Sequence, residues 1–130
     1  MKDLEKVKVF IEYGKKCIIP ERFAEWRNFC YENSSTQKNI DVLREIYAIM
    51  QLLDTTKMPL KEVSKRFEGE LYTGEEWEWI QKQIVRFSPK GYEFVSYSEN
   101  YKGEYLKREI DFIKEENSNF VSQKKKNVRA

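Results

Sequence analysis

The chain has 130 residues, 24 basic and 22 acidic side chains, a net charge of +2, 40% hydrophobic and 35% charged residues, and no histidine. That length fits one domain able to bury a core without a metal or disulfide staple. The balanced charge excludes a protein that coats nucleic acid by bulk attraction, and the missing histidine excludes Ser–His and Cys–His nucleophile pairs.

The first residues, Met1 to Lys6, mix acids with bases and lead into no apolar run, so they do not read as a secretory signal. The longest apolar stretch, Ile46–Met50, is far too short to span a bilayer, and a cytoplasmic protein with no membrane partner is expected. Residues 3–13 carry two periods: Leu4, Val7 and Ile11 step as a helix, while Val7, Val9, Ile11 and Tyr13 alternate as a strand. Helix is the reading taken, capped by Asp3 and ended by Gly14. Pro20 opens a second helix, with Phe23, Trp26, Arg27 and Cys30 recurring on one side and Trp26 read as core. Cys17 and Cys30 are expected as reduced, half-buried thiols.

Asn33-Ser34-Ser35-Thr36 breaks the chain and caps a helix over 37–53, whose stripe is Ile40, Leu43, Ile46, Tyr47, Met50 and Leu53. Pro59 opens a short helix with Leu60, Val63 and Phe67 on one face, and Gly69 ends it. Thr73-Gly74-Glu75-Glu76 is a capping box for a helix that turns Trp77, Ile80, Ile84 and Phe87 inward and stops at Ser88-Pro89-Lys90-Gly91. Aromatic-rich Tyr92–Tyr97 reads as a short strand, and a last helix over 104–116 follows with Ile110 and Ile113 inward. Residues 121–130, with Lys124, Lys125, Lys126 and Arg129 and no acid, read as a flexible basic tail.

The order of a long core helix, a short helix at Leu60–Phe67, a capped helix at 74–87 and an aromatic strand resembles a winged helix-turn-helix over residues 40–97. The resemblance implies a wing built from Tyr92–Tyr97 with a return through Tyr101–Tyr105. It also implies that helix 74–87 would lie in a DNA major groove. The expected fold is therefore mainly α: one compact domain over 1–120 of about six helices with one short β-hairpin, winged-helix-like over 40–105. The segment departs from a DNA reader where it matters, since Glu75, Glu76 and Glu78 would face phosphates.

Helical geometry turns Trp79 away from Trp77 and Ile80, in company with Lys82, Gln83 and Arg86. An exposed Trp beside Arg is the composition of an interface hot spot; the alternative is that Trp79 packs under the N-terminal helices. The expectation is a non-enzymatic regulatory or inhibitory protein that binds a protein partner through Trp79, Lys82, Gln83 and Arg86. Its size and mixed charge fit a phage or mobile-element accessory protein. The second candidate is a winged-helix DNA-binding regulator, with Lys90 and Lys102 as added nucleic-acid contacts. The third is a carboxylate-dependent enzyme built on two Glu in an apolar pocket. No catalytic motif, cofactor or metal is expected: the five glycines are isolated, and two distant cysteines cannot close a zinc shell.

Overall fold

Apolar residues at three- and four-residue steps dominate the sequence, and helices follow. The computed structural model describes residues 4–67, 74–98, 101 and 103–129, with side chains for all of these but Leu4, Tyr105 and residues 121–129. Helix α1 (Leu4–Cys17) leads through a 3-10 turn (Pro20–Arg22) into α2 (Phe23–Glu32), α3 (Gln37–Thr55), α4 (Leu60–Phe67), α5 (Gly74–Phe87), α6 (Gly91–Ser96) and α7 (Glu104–Arg129).

The N-terminal segment, whose spacing fitted helix and strand alike, is the helix taken, but Gly14 lies inside it rather than at its end. The reason is packing. A Cβ at Gly14 would lie 2.2 Å from Trp26 Cδ1 and Nε1, so the absent side chain lets the indole of α2 press against α1. The same indole donates to the Phe10 carbonyl at 2.9 Å. Trp26 then meets Phe87 edge-on at 5.1 Å, which carries the contact into α5. Ile19 donates its backbone N–H to the Phe87 carbonyl at 2.8 Å, pinning the α1–α2 connection to the end of α5.

The Thr36 hydroxyl caps α3 by accepting from the Asn39 N–H at 3.1 Å. The α3 stripe is buried as its spacing predicts at Ile40, Leu43, Ile46, Met50 and Leu53, with Ile49 added and Tyr47 half-buried. Helix α5 is covered on most of its circumference. Trp77, Ile80, Ile84 and Phe87 are buried as expected, and so are Gln81, Gln83 and Val85. It is the central helix around which α3, α6 and α7 pack.

The expected β-hairpin and wing are overturned. There is no strand among the described residues, and seven α-helices replace the expected six. Residues of the proposed wing strand form α6, because Phe94 and Val95 are neighbours in sequence yet both buried, which a strand with alternating faces would not allow. Gly91 brings α6 so close to α5 that a Cβ there would lie 2.1 Å from the Ile84 carbonyl oxygen. Tyr101, assigned to the returning wing, is buried and hydrogen-bonds Asp111 of α7 at 2.9 Å. Helix α7 runs past the expected end at 116 to Arg129, through positions read as tail. The expected Asp3 cap, the Gly69 stop, the Thr73 half of the capping box and Lys102 lie outside the described residues. No helix among the described residues is long and apolar enough to cross a membrane.

Candidate functional site

Helix α5 places Trp79, Lys82, Gln83 and Arg86 on one side, as their spacing requires. Two helices flank that side. From α2, Phe29 stacks on Trp79 with ring centroids 5.7 Å apart and planes at 28°, and Glu25 accepts from Arg86 Nη2 at 2.9 Å and Nε at 3.0 Å. From α7, Glu109 forms an ion pair with Lys82. The arrangement is a shallow trough with α5 as floor.

Within it the four side chains differ. Trp79 rests one ring face on Phe29 and keeps 36% of its surface exposed, against 0% for Trp26 and 2% for Trp77. Gln83 is buried beneath Arg86, and its Oε1 accepts from Arg86 Nη1 at 3.3 Å. The heads of Lys82 and Arg86 are engaged within the chain. Trp79 is thus the exposed apolar member, and the other three hold the surface around it. Lys90, offered as a nucleic-acid contact, reaches back to donate to the Leu53 carbonyl at 3.0 Å.

One end of the trough is closed by a polar clasp around Arg22, which is 5% exposed. Its Nη1 donates to both Glu25 oxygens at 2.8 and 2.9 Å, and its Nε donates to Asn117 Oδ1 at 2.9 Å. Its Nη2 reaches Glu116 at 3.5 Å, and the guanidinium lies 4.8 Å from the centre of the Phe120 ring. Burial pushes the Glu25 carboxyl up, but hydrogen bonds from Arg86 and Arg22 outweigh it and hold the group below the ordinary carboxylate range.

The other end opens at Trp79, which borders a cavity of about 340 Å³ with Asn33, Lys38, Asn39, Val42, Glu75 and Glu76. Lys38 crosses it to Glu76 at 3.5 Å. On the α7 rim Phe112 is 62% exposed and lines a second hollow with Lys82 and Glu109. Sequence reasoning missed Phe112 and Glu25. The Arg22/Glu25 spacing of three residues was a signal for a helical ion pair, while nothing local marks the link from Glu25 to Arg86.

A larger cavity of about 650 Å³ lies between α6 and α7, lined by Ile19, Val85, Ser88, Pro89, Tyr92 and Asn117 among others. Part of its polar lining is engaged: Asn117 donates to the Val85 carbonyl at 3.2 Å, and the Lys114 ammonium sits 4.1 Å above the Tyr92 ring. No three His, Cys, Asp or Glu residues converge to hold a metal among the described residues. Burial raises the Glu45 carboxyl above the ordinary carboxylate range. No family model matches the chain, and comparison with curated proteins and with solved structures gives no significant match.

Proposed function

We propose that this is a non-enzymatic protein that acts by binding a protein partner, with Trp79 as the anchor of the interface. The observation that carries the reading is the half-open placement of Trp79. Its indole is braced against Phe29 and bordered by a cavity, while the other two tryptophans are buried. A braced, partly exposed Trp offers a large contact area at little entropic cost, as interface anchors do. Lys82, Gln83 and Arg86 serve the interface by fixing the walls of the trough, and Phe112 supplies a second apolar contact on the α7 rim. A regulatory or inhibitory role fits a domain that presents one such surface, and its size suits a phage or mobile-element accessory protein.

The nucleic-acid reading gains no supporting observation. Lys82, Arg86 and Lys90 are engaged within the chain, and α5 begins with Glu75 and Glu76 in its first turn.

The test is quantitative affinity capture from source-cell lysate with wild-type protein and with Trp79→Ala, each with and without nuclease. The variant should keep its helical circular dichroism. Nuclease-resistant proteins held by the wild type should fall at least tenfold on the variant, about the loss of one hot-spot residue. Equal retention of every protein on a folded variant would sink the reading.

A further inference from the structure

We infer that the trough around Trp79 receives a cationic amphipathic segment of a partner protein. The inference rests on the reading of Trp79 as a binding residue and adds the chemistry of what binds. The chain as a whole carries +2, but this face runs the other way. Around the trough stand Glu25, Glu75, Glu76, Glu109 and Glu116, joined by Glu32 and Glu78, which helical spacing puts beside Phe29 on α2 and Trp79 on α5, against Arg22, Lys38, Lys82 and Arg86, seven acids less four bases, or −3. Arg108, beside Phe112, is cancelled by its own pair with Glu104.

All four bases are committed. Arg22 binds Glu25 and Glu116, Arg86 binds Glu25, Lys82 binds Glu109 and Lys38 binds Glu76. Glu32, Glu75 and Glu78 are therefore left with no base in bridging range among the described residues. Helix ends do not cancel them. The N-termini of α3 and α5 and the C-terminus of α2 together contribute roughly half a positive charge. The result is an apolar contact, Trp79 with Phe112 beyond the Lys82–Glu109 pair, set in a negative field. Phosphate or an acidic peptide would be repelled there. A segment with Lys or Arg flanking a large apolar side chain satisfies both features, the apolar part giving affinity and the charges giving selection and fast encounter.

The experiment uses the full chain and two fluorescein-labelled amphipathic peptides of equal length and leucine content, one carrying Lys and the other Glu, with binding read by fluorescence anisotropy. Wild type should prefer the Lys peptide by at least about tenfold, and that preference should shrink as salt rises from about 50 to about 300 mM. Glu75→Lys with Glu78→Lys should abolish the preference. Glu75→Gln with Glu78→Gln, gentler on the first turn of α5, should reduce it several-fold. No preference in wild type, or one untouched in a folded charge variant, overturns the inference while leaving Trp79 as an anchor. Lys-peptide binding that survives Trp79→Ala overturns the reading beneath it. Self-association of wild type through its own basic residues 124–129, seen by sedimentation and lost on Glu75→Gln/Glu78→Gln, would make a second copy the occupant and also overturn it.

Discussion

Gly14 and Trp26 work as a pair: the indole occupies the volume a Gly14 side chain would need, and it is itself held by a hydrogen bond to the Phe10 carbonyl and by the Phe29 and Phe87 rings. Gly14→Ala should therefore destabilise, although alanine is the better helix former by about 1 kcal/mol. Overpacking against a ring held in this way costs about 1–3 kcal/mol, so the net change is unfavourable. Urea unfolding monitored at 222 nm should give a lower midpoint, and an unchanged or higher midpoint would show that α1 and α2 separate easily. The thiols show the same closeness of packing. Burial pushes Cys17 and Cys30 up to about 12 from an ordinary 9.0, and they form no disulfide. At about pH 8 both should react with Ellman's reagent far more slowly than in denaturant, because the reacting thiolate is scarce and covered. Fast native labelling would contradict the burial. At this scale the sequence was informative wherever a single helix set the answer: Trp79 turns outward from its own turn, as i+3 and i+4 spacing requires. The engagement of Arg86 was not legible, because its acceptor Glu25 is 61 residues away on another helix.

Among the elements, α6 is the one the sequence misdirects. Tyr92, Phe94 and Tyr97 have strand-type composition, yet strand preference is mostly a preference for a packed, pleated neighbour, and no edge is offered here. Helix α6 sits instead against α4 and α5, Gly91 allowing the close approach to α5, and Tyr92 joins Tyr101 and Asp111 in a hydrogen-bonded group. The long, striped α3 and α5 were legible because each presents an unbroken apolar face to the core. Helix α7 divides into two parts by how it is held. Leu106, Ile110 and Ile113 pack on the core, whereas Glu116, Asn117 and Phe120 meet Arg22. Removing Arg22 should free the second part without melting the first. Arg22→Ala is expected to cost about 1–3 kcal/mol, since it deletes several charge-assisted hydrogen bonds and leaves part-buried acceptors behind. Hydrogen exchange should quicken from about residue 114 onward and stay slow over 106–113. Uniform acceleration along α7 would mean that the helix is held as one piece.

For the whole molecule, the lack of histidine makes stability against pH a plateau with unequal edges. Without imidazoles, no side chain of ordinary pKa titrates between about pH 6 and 8, so stability there should be nearly flat. On the acid side two shifts oppose each other. Glu25 is held low in the folded state, so its contribution is present above the ordinary value of 4.5 and fades as pH falls through the lowered one. Glu45 is raised by burial, so protonation relieves it and stability is recovered earlier, as pH falls from its raised value to the ordinary 4.5. On the alkaline side the shifts act together. An unfolded chain releases the Cys17 and Cys30 protons near 9.0, while the folded one keeps them to about 12. The unfolded state then binds fewer protons, so stability falls as pH rises through that window, by up to about 1.4 kcal/mol per pH unit for each thiol. Burial also raises the Tyr13 and Tyr101 phenols, which adds to the loss above their ordinary 10.0. Urea midpoints measured from pH 5 to 11 should hold level and then drop sharply above about 9, with only a shallow change below 6. In Cys17→Ala/Cys30→Ala the alkaline fall should begin later, at the tyrosines, even though the cavities lower the whole curve. An alkaline edge unmoved by removing both thiols would place the titrating groups elsewhere in the chain.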